Sequence, residues 1–196
     1  VIILGGNSLV SKNPNLFLPN KWPTYFTKSK GCKVWDLNNR VYTDMSLMGV
    51  GTNILGYCHN EVDNAVKKVI KKGNLTTLNC PEEVLLAEKL LSMHPWAGKV
   101  KFARTGGEAN AIAIRIARSA SRKNNVAFCG YHGWHDWYLS ANLASDSALD
   151  GHLLPGLDPR GVPRSLAGSA LPFHYNNLAE LRTIGQSKSG EIAAIV

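Results

Sequence analysis

Apolar residues recur at helical spacing between Asn60 and Lys72, where Val62, Ala65, Val66, Val69 and Ile70 fall at i, i+3, i+4, i+7 and i+8. Gly73 supplies the stop, since glycine readily takes the conformation that closes a helix. Pro81, followed by Glu82 and Glu83, suits a first helical turn and predicts a second helix through about Ser92. The pattern then changes to strand, helix, strand. Lys99 to Ala103 is a short apolar run, and Val126 to Cys129 is another. Between them Ala109, Ile112, Ala113, Ile116 and Ala117 mark one buried helix face. That order predicts a right-handed parallel crossover, with ligands at the carboxyl ends of the strands. The loops leaving both strands therefore share one edge of the sheet.

Upstream, residues 1 to about 30 read as loop, punctuated by Pro14, Pro19 and Pro23. Val34-Trp35 and Val41-Tyr42 flank Asp36-Leu-Asn-Asn39, which predicts a hairpin. Residues 141 to 171 are polar, glycine- and proline-rich and weakly periodic, so they read as a functional loop or an interface cover.

Composition narrows the classes. With 196 residues, 44% hydrophobic and 18% charged, the chain suits one large α/β core, or a domain and a piece of another. No run of about 18 apolar residues exists to cross a bilayer as a helix. Val1-Ile-Ile-Leu4 lacks both the length and the basic leader of a signal peptide, and the expected location is cytoplasmic. The formal charge of +8 invites a nucleic-acid reading, but the basic residues are scattered. Lys67, Lys68, Lys71 and Lys72 cluster on the polar side of a predicted helix, as a solvated face does, so neither nucleic acid nor membrane is an expected partner. Cys32, Cys58, Cys80 and Cys129 are too widely spaced for a zinc ribbon and read as reduced thiols.

Candidate chemistry concentrates in two turns. Thr105-Gly106-Gly107 follows the first apolar run and opens a helix, where first-turn amides and the helix dipole form an anion seat. Glycines at Gly106 and Gly107 remove Cβ atoms that would hold an anion away, and Thr105 is a hydroxyl donor or N-cap. Glu108 either complements the dipole or belongs to the site. The second turn, Cys129-Gly-Tyr-His-Gly-Trp-His-Asp136, offers Tyr131 to stack on a flat ring and His132 to contact the ligand or orient the loop. Together they suggest a flat, phosphorylated cofactor. Trp134 to Trp137 extends the loop toward a substrate entrance or a subunit interface. A competing reading takes His132, His135 and Asp136 as zinc or iron ligands of a metal-dependent hydrolase.

Thr105-Gly106-Gly107-Glu108-Ala109 and Tyr131-His132-Gly133 resemble the Ser-Gly-Thr-Glu-Ala and Tyr-His-Gly segments of the class III, fold-type I, pyridoxal-phosphate-dependent aminotransferases, and of glutamate-1-semialdehyde 2,1-aminomutase in particular. Gly5-Gly6-Asn7-Ser8, Gly31 to Asp44, Leu55 to Val62 and Pro172 to Val196 resemble further segments in the family's order. The resemblance implies an α/β fold with a mostly parallel central sheet flanked by helices. It would be incomplete here: 1–45 would contribute to a smaller α+β domain and the entrance, and 46–196 would begin the large cofactor-binding domain. It also implies pyridoxal 5'-phosphate, held by Thr105, Gly106, Gly107, Tyr131 and His132, with Ser8 touching substrate. Small amino and keto compounds would be the substrates, a homodimer the assembly, and amino-group transfer through an aldimine the reaction.

One departure widens the choice of substrate. Where the aminomutases carry an arginine for the substrate carboxylate, this chain has Ser11 followed by Lys12, and neither reproduces a bidentate guanidinium clamp. Transamination of another amino or keto compound, a sugar or an amino acid among them, competes with mutase chemistry. The Schiff-base lysine and the carboxylate beside the pyridine nitrogen are expected beyond Val196, so no catalytic residue is assigned within the chain. Residues 1–196 read as the amino-terminal half of a longer enzyme, inert and poorly soluble alone.

Overall fold

Asn125–Phe128 forms β4, and every residue of it is buried. A continuous apolar run covered on both faces is the signature of a central parallel strand. The structure is a computed structural model and describes residues 2–3, 9–16, 18–46, 48–152 and 156–196. The strands that flank β4 are β5 (Ala170–Pro172) and β6 (Ile192–Ile195), both parallel to it. Val126 lies opposite Ala170 on one side and Ala194 on the other. Asn125, buried at the start of β4, donates its side-chain amide to Glu191 Oε2 at 2.9 Å and so avoids an unpaired polar group.

Cα packing separates the chain into two units, Val1–Glu88 and Lys89–Val196. In the first unit β1 (Phe26–Lys30), β2 (Lys33–Asp36) and β3 (Val41–Thr43) form an antiparallel meander. The expected hairpin is present as β2 and β3, whereas β1 falls in a stretch the sequence reads as loop. Its residues, Phe-Thr-Lys-Ser-Lys, have little apolar alternation, and pairing with β2 makes them a strand. Asp36 closes the turn by accepting from the Asn38 and Arg40 amides at 2.8 and 2.9 Å and the Tyr42 hydroxyl at 3.1 Å. A helix α1 (Asn60–Ile70) follows as predicted, and α2 (Pro81–Met93) spans the boundary between the units. Neither helix has a buried residue.

The second unit also holds α3 (Gly106–Ser121), α4 (Asp136–Leu139), α5 (Ala141–Ala144) and α6 (Leu178–Ser187). Its core joins Ile114 of α3 to Val126, Phe128, Trp137, Tyr138, Ala141, Leu149 and Ala170. Two expectations change here. Residues 99–103 take no regular secondary structure and pair with no strand among the described residues, so the crossover predicted from them is not formed as a hydrogen-bonded unit. A short apolar run becomes a strand only when a neighbouring edge accepts its ladder. The buried side of α3 is also not the predicted one: Ile114 is its buried residue and Ile116 is exposed. Isoleucine and alanine occur on both sides of this helix, so packing near β6 selects the face, not the periodicity. Residues 141–152 and 156–171 contribute to the packing of this unit. Leu149 and Val162 are buried, and Asn142 is tied to the Leu157 carbonyl at 2.6 Å and the Leu149 amide at 3.0 Å.

Candidate cofactor site

The site lies wholly in the second unit and is built from the start of α3 and the loop that follows β4. Thr105, in extended backbone, is the N-cap of α3. Its hydroxyl oxygen accepts the Glu108 amide at 3.2 Å, while Glu108 Oε2 accepts the Arg104 and Thr105 amides at 2.9 and 3.3 Å. This reciprocal capping box assigns Glu108 to the backbone. Since the carboxylate takes the donors before the helix, the amides of Gly106 and Gly107 are left with no acceptor among the described residues. They are the exposed donors that an anion seat requires.

The two glycines differ in what surrounds them. A Cβ on Gly106 would meet nothing within 4 Å, so that side is open to a ligand. A Cβ on Gly107 would lie 2.7 Å from His135 Cε1 and 2.9 Å from its Nδ1. At Gly107 the missing side chain therefore makes room for an imidazole, a reason the sequence does not disclose. Trp134 stacks on this ring, with centroids 4.9 Å apart and planes 25° from parallel. His135 Nδ1 is buried with no hydrogen-bond partner among the described residues.

The loop after β4 comes directly against this turn. A Cβ on Gly133 would stand 3.7 Å from Gly107 Cα. Asn110, on α3, donates its side-chain amide to His132 Nδ1 at 3.3 Å, and His132 Nε2 donates to the Cys129 carbonyl at 2.7 Å. A carbonyl can only accept, so the proton sits on Nε2 and Nδ1 is the acceptor. Both nitrogens of His132 are thus committed to holding the loop on the helix. Tyr131 remains 39% exposed, with its ring edge-on to Tyr138 at 5.9 Å. Tyr138 is fully buried, and burial together with neighbouring Tyr131 pushes its hydroxyl up to about 12. It stays protonated and donates to the Gly130 carbonyl at 3.3 Å.

Thr105, Gly106, Gly107, Tyr131 and His132 are therefore brought to one edge. Gly5 to Ser8, including the substrate-contact expectation at Ser8, lies outside the described residues. The metal reading of His132, His135 and Asp136 is corrected: no group of three His, Cys, Asp or Glu able to hold a metal occurs among the described residues, and His132 has no nitrogen to spare. Sequence reasoning missed Asn110, Tyr138 and His152. Asn110 carried a faint signal as a polar residue one turn into an apolar helix. His152 carried none, since its partner Gly130 is 22 residues away.

A sequence model of the family described as aminotransferase class-III matches residues 19–196. The chain belongs to the class III aminotransferases. Among similar class III proteins, a 3-aminobutyryl-CoA aminotransferase of Cloacimonas acidaminovorans (strain Evry) is 32% identical over 94% of this chain and 41% of its own length. A 2'-deamino-2'-hydroxyneamine transaminase of Streptomyces kanamyceticus is 34% identical, covering 95% of this chain and 43% of its own. A glutamate-1-semialdehyde 2,1-aminomutase of Anaeromyxobacter sp. (strain K) is 35% identical over 89% of this chain and 40% of its own. Each of these relatives is more than twice the length matched by this class III chain. Among solved structures, a transaminase with PLP bound superposes with a TM-score of 0.79 at 23% identity, over 99% of this chain and 43% of that one. An omega-transaminase from Sphaerobacter thermophilus gives 0.74 at 21% identity, over 93% and 44%. The fold-type I architecture expected from the sequence is shown by these likenesses.

Proposed function

We propose that this chain forms the cofactor-binding part of a longer class III aminotransferase or aminomutase, and that the cofactor is pyridoxal 5'-phosphate. The observation that carries the reading is the contact between the two turns: unpartnered Gly106 and Gly107 amides lie beside a loop presenting Tyr131, and Asn110 and His132 lock the two together. The residues fit the group on both its features. Open space above Gly106 and first-turn amides suit a phosphate ester, and a partly exposed tyrosine suits a flat heteroaromatic ring. Lys101 and Arg104, in a groove bordering the same helical turn, add positive field for the anionic tail.

Thr105 shapes the turn through its cap and keeps a hydroxyl proton to donate to the phosphate. Gly106 and Gly107 bind through backbone N–H groups, and Tyr131 orients the ring by stacking. His132 holds the loop in place through its ring nitrogens. When bound, pyridoxal phosphate supplies the electrophilic carbon and electron sink that amino-group movement needs. Homodimeric assembly, a cytoplasmic location and substrates among small amino and keto compounds belong to the same proposal. Family membership supports them, and the apolar stripe that α1 leaves uncovered supports the assembly. No helix of the described residues is long and apolar enough to cross a membrane.

Titration of the full-length protein with pyridoxal 5'-phosphate tests the reading. A visible-edge absorption band and saturable binding are expected, and Tyr131→Ala weakens affinity by about 2- to 10-fold through loss of ring stacking. Wild-type affinity in Tyr131→Ala, or no binding at all, overturns it. Product analysis separates the outcomes: half-reactions with free keto acids identify a transferase, and rearrangement without an external acceptor identifies a mutase.

A further inference from the structure

Gly130 opens the ring-presenting loop: it lies just past the buried end of β4, immediately precedes Tyr131, and has a left-handed φ of +81°. Its carbonyl takes the Tyr138 hydroxyl, and its amide donates to His152 Nδ1 at 3.0 Å. His152 is therefore an acceptor at Nδ1, with its proton on Nε2. Nothing in the proposed binding chemistry uses this imidazole, yet considerable structure holds it. Its ring lies 5.8 Å from Phe128 and runs nearly parallel to His174, with centroids 6.1 Å apart and planes 11° from parallel. His174 is held in turn by Glu180, which accepts its backbone amide at 2.7 Å and its ring Nδ1 at 3.1 Å. Glu180 sits in the first turn of α6, whose N-cap Asn177 accepts the Glu180 amide at 3.2 Å. A Cβ on Gly151 would come within 2.7 Å of His174 Nε2, so the chain next to His152 is glycine where His174 approaches.

We propose that His152 is a positioning residue for the Tyr131 loop: its neutral imidazole accepts the Gly130 amide, and His174, held by Glu180 of α6, keeps that imidazole in register. The consequence for ligand binding rests on the cofactor reading above, but the loop geometry does not. Protonation of His152 would set an N–H donor against the Gly130 N–H and break the bond that holds the start of the loop. The titratable groups facing His152 are His132 from the loop itself, His174 from the turn after β5, and Glu180 from α6. Burial, then His174 and His132, favour the neutral ring, and Glu180 opposes them; the balance holds its pKa below the ordinary histidine value. A folded-state pKa below the unfolded one makes the contact complete above about pH 6.5 and lost as pH falls through the folded value.

The test uses the full-length protein as wild type, His152→Asn and His152→Ala. Asparagine places an acceptor oxygen where Nδ1 stood but does not titrate. Backbone hydrogen exchange over residues 129–134, corrected for intrinsic rates, is followed in the cofactor-free protein at about pH 7.5 and pH 5. Wild-type protection is expected to fall about tenfold on acidification, while His152→Asn holds its protection and His152→Ala is unprotected at both pH values. Equal pH responses in wild type and His152→Asn overturn the proposal, and so does wild-type protection in His152→Ala. Should His152→Ala fail to fold, the comparison of wild type with His152→Asn still decides. Pyridoxal-phosphate affinity, measured on the same samples, is expected to track the protection. Protection that behaves as expected with no pyridoxal-phosphate binding at either pH upholds the loop assignment and overturns the cofactor reading instead.

Discussion

Gly106 and Gly107 are adjacent, chemically identical and structurally unlike. Gly107 leaves space for the His135 ring, while Gly106 faces open surroundings. Gly107→Ala is expected to cost about 1–2 kcal/mol in denaturant unfolding by overpacking. In a Gly107→Ala/His135→Ala double variant most of that cost disappears, with a coupling of about 0.5–2 kcal/mol in the cycle. Additive effects would show that the two residues do not share this space. Gly106→Ala gives the opposite result: stability holds or rises by about 0.5 kcal/mol because the unfolded chain loses freedom. Phosphate affinity falls, because a methyl group now stands beside the amides. Thr105→Ala removes the cap of α3 and is expected to cost about 1 kcal/mol by the same unfolding measurement. These roles were readable only in part. The Thr-Gly-Gly turn before an amphipathic stretch announces an anion seat, but the ring that fills the space at Gly107 comes from His135, in a loop remote in sequence.

Among the elements, the hairpin of β2 and β3 was legible because Asp36-Leu-Asn-Asn39 has local turn chemistry. Its stability carries a pH signature. Burial alone would raise the Asp36 carboxyl, but the Arg40 and Asn38 amides, the Tyr42 hydroxyl and the Arg40 charge outweigh it and hold the group below the usual carboxylate range. The folded state thus binds the proton less tightly than the unfolded one. The contribution is present above about pH 4 and is lost as pH falls through the lowered value. Asp36→Asn is expected to reduce the melting temperature at neutral pH and to flatten its acid dependence; an unchanged acid limb would remove Asp36 from the account. Helices α1, α2 and α3 were legible from apolar spacing and first-turn residues, with boundaries close to those found. The strand at β1 and the buried face of α3 were not, because each is chosen by a neighbour rather than by its own residues.

Across the whole molecule, burial is uneven. The apolar stripe of α1 is uncovered, with Val62, Val66 and Ile70 at 48%, 52% and 58% exposure, while Phe128 and Tyr138 in the second unit are fully buried. An apolar stripe at helical spacing left open is the mark of a surface meant to be covered. Val66→Glu is accordingly expected to change the stability of the isolated chain by no more than about 0.5 kcal/mol. In the full-length protein it weakens assembly, read by sedimentation; unchanged sedimentation would take this stripe out of the proposed dimer. Sequence alone determined what is local and periodic: the helices, the hairpin, the capped glycine turn and the family to which these motifs pointed. The helices, the hairpin and the turn depend on contacts within one or two turns of chain, and the local order of residues is enough to encode them. Only the tertiary structure decided that Asn110 anchors His132 and that His152 holds Gly130. Each is a hydrogen bond between residues 22 apart in sequence. Folding around β4 places those donors and acceptors together, and no local pattern encodes that placement.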